Sequence, residues 1–347
     1  MNNRIFDINS TNACKGVALI LLLWHHLFCK YPEYGFIVYE TAQFAKVCVA
    51  IFVILSGYGF SETVKRKNDG VLNFYKTRLI RIYSNYWFIA LLFVPICAFF
   101  TGRTLESVFI SHPYAKFAVQ MTGLYEIVYS GHGYNPTWWY MSAIIPLIVL
   151  FPFINCVVKR YGFFAVLCFF AFFLRPMIPV FDPWLLPFAL GIYLSQRNGI
   201  SAASNYLCTW GVSRYFLLLF MIILIAVVRA HGGSLKGVRI DGLLGFLIIL
   251  FSFELIMSIQ SVGKILRRLG DHLFNIFLFH TFIYLYLLKD FIYSFKQPVL
   301  IFVILLSICI VLSEIIEFLK RSIGFYSVTQ KLQSMRMPAS LKWNFHG

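Results

Sequence analysis

Long apolar stretches recur along nearly the whole sequence, and lysine or arginine rather than acid closes most of them. Ten can be counted, at 16–29, 47–61, 84–100, 137–156, 163–180, 182–196, 214–230, 241–260, 272–289 and 298–319. A helix in water keeps a polar face, so segments apolar on nearly every face require a different solvent. In a bilayer each backbone polar group must be satisfied within the protein, which selects helices of about 20 residues. The pattern predicts an all-α fold, a polytopic transmembrane helix bundle of about ten spans with the lipid bilayer as its partner. Phe occurs 38 times and aromatics form 19% of the chain, which suits lipid-facing helices with Trp and Tyr at their ends. The stretches 163–180 and 182–196 are separated only by Phe181. Pro176, Pro179, Pro183 and Pro187 lie nearby, so the pair reads as a hairpin broken by proline.

Basic residues set the orientation. Lys and Arg number 30 against 14 Asp and Glu, but they punctuate apolar runs, so no nucleic-acid partner is expected. With the N-terminus inside and ten alternating spans, 20 of the 30 bases fall on inner segments. That bias predicts both termini cytoplasmic, with a short tail from about 320. The longest outer loop covers about 101–136 and carries His112 and His132. No internal repeat or low-complexity tract divides the chain, so 1–347 reads as one domain. The first apolar run leads into Cys29-Lys30-Tyr31-Pro32, which is no signal-peptide cleavage site. Eight cysteines are scattered without ligand spacing, and no metal is expected.

The first span is the richest in chemistry. It runs Lys15-Gly16-Val17-Ala18-Leu19-Ile20-Leu21-Leu22-Leu23-Trp24-His25-His26. Eleven helical residues make about three turns and rise about 16 Å, so Lys15 and His26 share nearly one face. His25 is turned off that face by roughly 80°. A cation and an imidazole in one span are costly unless they face a protein or water-filled interior. Neutral imidazole can take a proton from an alcohol near pH 7, as acyl transfer to a hydroxyl requires. A snorkelling lysine with an interfacial histidine pair fits the same spacing.

A second informative stretch joins spans two and three. Phe52-Val53-Ile54-Leu55-Ser56-Gly57-Tyr58 ends in small residues that permit either a close helix approach or a turn at the membrane face. After a basic segment come Arg78 and Arg81, three apart on one side of a helix at the cytoplasmic entrance. Two guanidinium forks suit a diphosphate, and positive-inside anchoring would place arginines there as well.

Taken in order, Lys15…His25-His26, Phe-Val-Ile-Leu-Ser56-Gly57-Tyr and Arg78-x-x-Arg81 resemble the acyltransferase-3 family of bacterial membrane acyltransferases. The family's first span pairs a basic residue, usually Arg, with a His after ten intervening positions. Lys15 and His26 take those places here, and Lys15 keeps the charge without the planar fork. Trp138-Trp139 resembles the family's fourth span but lacks the Glu that many members carry after it. Leu269–His280 resembles a late segment, with Asn275 and Phe277 in place of the usual residues.

The resemblance implies an O-acetyltransferase of the bacterial cytoplasmic (inner) membrane. Acetyl-CoA would be the acyl donor, and a glycan or lipid-linked sugar the acceptor. It implies a catalytic group of His26, Lys15 and the adjacent His25. Arg78 and Arg81 would hold the CoA phosphates, with Ser56 and Gly57 counted in the donor site. A homo-oligomer is compatible with all of this. A transporter or flippase for a lipid-linked glycan is the rival reading, since Pro-broken, basic-edged spans suit it too. Glu254, Glu314 and Glu317 are expected to pair with inner-face arginines, and His280 to line the bundle.

Overall fold

The computed structural model describes residues 4–67, 70–174, 178, 180–231 and 240–335. Its helices begin with α1 (Ile8–Phe28), α2 (Phe36–Ala45), α3 (Cys48–Lys67), α4 (Val71–Thr101), α5 (Leu105–Val108), α6 (Pro113–Met121) and α7 (Tyr125–Tyr129). Next are α8 (Trp139–Tyr161), α9 (Phe163–Leu174), α10 (Leu185–Gln196), α11 (Gly199–Cys208), α12 (Ser213–His231) and α13 (Asp241–Ser258). The last described helices are α14 (Gln260–Thr281), α15 (Lys289–Tyr293), α16 (Pro298–Ser322) and α17 (Phe325–Ser334). Among the described residues there is no strand, and the chain is an all-α membrane helix bundle.

Among the described residues, each of the ten apolar stretches overlaps a helix. Among the described residues, six helical segments are long and apolar enough to cross a membrane: Phe36–Arg66, Val71–Thr101, Pro136–Tyr161, Ser213–His231, Asp241–Ser258 and Pro298–Ser322. The other four stretches lie on α1, α9, α10 and α14. Helices α1 and α14 dilute their apolar runs with Asn12, Lys15 and two histidines, and with Lys264, Arg267, Arg268 and Asp271. Helix α10 has 12 residues, and α9 has 12 among the described residues. Pro176 and Pro179 of the expected hairpin lie outside the described residues. Pro183 sits in the 3-10 turn Asp182–Trp184, just before α10.

The chain divides into two compact units, Met1–Arg66 with Phe153–Leu273, and Lys67–Pro152 with Phe274–Gly347. In the first, Asp7 caps α1 by accepting the Ser10 N–H at 2.8 Å, which satisfies one orphan donor of the first turn. Helix α3 continues unbroken through Ser56-Gly57, so the small residues serve a close helix approach and not a turn. A Cβ on Gly57 would lie 2.3 Å from the Phe188 carbonyl oxygen of α10, and one on Gly191 would lie 2.1 Å from the Ile54 oxygen. Gly59 has open space where its Cβ would go. Gly57→Ala is therefore expected to destabilise the detergent-solubilised protein by about 1–3 kcal/mol. Gly59→Ala should leave thermal stability unchanged or slightly raised. Equal melting temperatures for the two variants would refute this packing.

In the second unit, the segment expected to be the longest outer loop, about 101–136, is largely folded back. The Tyr86 hydroxyl donates to the Gln120 oxygen at 2.8 Å, the Trp87 indole to Met121 at 2.9 Å and the Tyr83 hydroxyl to Thr122 at 2.6 Å. These are the carbonyls of the last two residues of α6 and of its C-cap Thr122, which have no partner inside the helix. Tyr86 lies fifteen residues, about 22 Å of helix, before the end of α4. The segment thus returns along α4, and helix-end carbonyls are tolerated there because aromatic donors meet them. His132 remains exposed, 3.6 Å from Glu126. Burial pushes the Glu126 carboxyl up, and His132 partly offsets this.

Candidate active site

The leucine-rich middle of α1 buries Ala18, Leu19, Leu22 and Leu23, which fixes the rotation of the helix. Near its start α1 meets α14 backbone to backbone. A Cβ on Gly16 would stand 2.0 Å from the Leu266 oxygen, and one on Gly270 would stand 1.8 Å from the Asn12 oxygen. Lys15 is half-buried beside this crossing. Its ammonium donates to Asn12 Oδ1 at 3.1 Å, and Asn12 Nδ2 donates to Asp271 Oδ1 at 2.8 Å. Asp271 thereby ties the Lys15 end of α1 to α14 through one amide.

At the other end of α1, α2 folds back against the histidines. His25 Nδ1 lies 2.7 Å from the Ala42 oxygen. A carbonyl can only accept, so Nδ1 carries the proton, and in the neutral ring Nε2 holds the lone pair. Trp24 Nε1 donates to Thr41 Oγ1 at 3.0 Å, and Gln43 Nε2 to the Cys29 oxygen at 2.8 Å. The His26 ring is half-buried and stands edge-on to His25, with centroids 5.1 Å apart. The two imidazoles thus differ in surroundings, as helical phase requires.

In the second unit, Arg78 and Arg81 lie one turn apart on α4. Arg78 is half-buried, 5.8 Å over the Phe74 ring, which stacks on Phe151 with centroids 4.6 Å apart, while Arg81 is exposed. Asn85, one turn further, opens a polar cluster that the sequence reading missed. Its centre is Lys320, fully buried, whose ammonium donates to Asn85 Oδ1 and Asn275 Oδ1 at 2.7 Å each and to Glu317 at 3.1 Å. The Tyr326 hydroxyl donates to the same Glu317. Burial, then that hydrogen bond, pushes the Tyr326 hydroxyl up. Glu317 therefore pairs with a lysine of its own helix and not with an arginine. The available signal was Asn85 and Asn275, two amides in apolar stretches that need partners.

Of the residues singled out from sequence, Lys15, His25, His26, Ser56 and Gly57 belong to the first unit, and Arg78 and Arg81 to the second. Gly57 is occupied by the contact with α10, and Ser56 is half-buried beside it. Glu254 pairs with Arg4 and Arg214, as expected of an acid near inner-face arginines. His280 is fully buried, with Nδ1 2.9 Å from the Ile276 oxygen of its own helix. Among the described residues no group of three His, Cys, Asp or Glu side chains could hold a metal ion. A family profile described as an acyltransferase domain matches residues 8–317. No curated protein and no solved structure matches the chain.

Proposed function

Because this chain belongs to the acyltransferase-3 family and is a membrane acyltransferase, we propose that it transfers an acetyl group from acetyl-CoA to a hydroxyl of a cell-surface or exported glycan. The reaction would take place in the bacterial cytoplasmic membrane, with both chain termini inside. The observation that carries this reading is a half-buried imidazole, His26, on the same apolar helix as the Lys15 cation, within the matched region. A cost of that kind in a membrane helix is tolerated where function uses it. In the proposed step His26 removes the proton of the sugar hydroxyl, and the oxygen attacks the thioester carbonyl. The C–S bond breaks, and the CoA thiolate leaves and takes up the proton. Lys15 supplies positive charge beside the reacting groups, and Arg78 and Arg81 hold the CoA phosphates.

Purified protein given radiolabelled acetyl-CoA and membrane glycan should place label on the glycan as an alkali-labile ester. Label that stays on CoA with acetyl and with every other short acyl donor would sink the reading, and would favour a transporter. Charge-assisted hydrogen bonds are worth about 1.5–3 kcal/mol each. The Arg78→Ala/Arg81→Ala double variant is therefore expected to weaken acetyl-CoA binding by at least about tenfold, measured by equilibrium titration. An unchanged dissociation constant would remove the two arginines from the donor site.

A further inference from the structure

The long apolar segment Phe36–Arg66 breaks where α2 ends at Ala45, and α3 begins at Cys48. Carbonyls in the last turn of a helix lack in-helix partners. Two of those in α2 are taken by side chains from elsewhere in the same unit. His25 Nδ1 meets the Ala42 oxygen at 2.7 Å, and Arg229 of α12 donates from one terminal nitrogen to the Gln43 oxygen at 3.0 Å. Arg229 is itself fixed. Its Nε and second terminal nitrogen reach the two carboxylate oxygens of Asp241, at the start of α13, at 2.5 and 3.4 Å. The Asp241 side chain is fully buried and that of Arg229 is 11% exposed. Arg229 belongs to the minority of bases that the charge bias leaves on the outer side, so positive-inside anchoring does not account for it.

We propose that Arg229 and Asp241 are positioning residues for the histidine pair. Arg229 spans an acid on α13 and a carbonyl on α2, which needs the planar fork of a guanidinium. It holds the last turn of α2 so that the Ala42 oxygen faces His25. That carbonyl fixes the Nδ1–H tautomer and the tilt of the His25 ring, and the His25 ring edge sets the orientation of His26. The chain of support is Asp241, Arg229, Gln43 and Ala42, His25, then His26. Its effect on turnover rests on the reading of His26 as the catalytic base, but its effect on the His25 tautomer does not.

The test uses full-length protein labelled with 15N-histidine in detergent micelles, with His25 assigned by comparison with His25→Gln. Wild type should show His25 protonated at Nδ1. The Arg229→Leu/Asp241→Leu pair removes both charges together, which protein interiors often tolerate, and should give mixed tautomers. Acetyl transfer should fall about tenfold to hundredfold at unchanged KM for acetyl-CoA. If the leucine pair fails to fold, Arg229→Lys serves, because its single ammonium keeps the ion pair and gives up the fork to Gln43. A wild-type His25 protonated at Nε2, or variants that retain a pure Nδ1–H tautomer, would overturn the proposal whatever the activity. A tautomer that shifts with no loss of turnover would overturn the positioning role. Full activity in His26→Ala would instead defeat the base assignment, and the tautomer readout would still decide the structural claim.

Discussion

Alanine at His26 is expected to lower acyl transfer by about 10²–10⁴-fold, the range a positioned general base supplies. Acetyl-CoA affinity should stay close to wild type, because the phosphates are assigned to Arg78 and Arg81. The expectation follows from the setting of His26, half-buried on α1 with His25 as its ring neighbour at 5.1 Å. His25→Ala should cost less, since it removes the neighbour that orients His26 and leaves the base in place. Parallel kcat and KM measurements on the two variants check this. A His26→Ala enzyme that matches wild type, or a His25→Ala enzyme that is the more damaged, would reassign the base.

Loss of Glu254 should be the most destabilising single change in the first unit. Its side chain is fully buried and meets Arg4 at 2.5 Å and Arg214 at 2.6 Å, and the Ser204 hydroxyl donates to it as well. Glu254→Leu leaves two largely buried guanidinium groups without their counter-charge, at a cost of about 3–5 kcal/mol. The triple replacement of Arg4, Arg214 and Glu254 by apolar residues should recover most of that loss, because no lone charge then stays buried. Unfolding of the detergent-solubilised variants measures both effects. A single variant as stable as wild type would show that the cluster is solvated, and a triple variant no better than the single one would show that the ion pairs are net stabilising.

The sequence by itself determined the membrane habit, the positions of the long apolar helices and the separation of Lys15 and His26 from His25. Each depends only on local quantities: the length of an apolar run, the angle per residue and the cost of charge in hydrocarbon. The resemblance across residues 15–87 identified the family for the same reason, since its motifs are short and ordered along the chain. The sequence also indicated that Glu254 needs an arginine, because a buried acid has few other options.

Other features were settled only by the tertiary structure. Ser56-Gly57 is compatible with a turn or with a helix, and the Phe188 carbonyl of α10, 131 positions beyond Gly57, is what makes it a helix contact. The 101–136 segment has the polarity of an outer loop. Its return along α4 depends on Tyr83, Tyr86 and Trp87 meeting the carbonyls of residues 120–122. Lys320 and Arg229 read as ordinary boundary charges, and their partners lie up to 235 and 186 positions away. Composition and periodicity report what a residue can do, but a hydrogen bond requires the two groups to be within about 3 Å. Only the packing of distant helices fixes that distance, which is why α1 was recognisable as the candidate catalytic helix while the residues that orient its histidines were not.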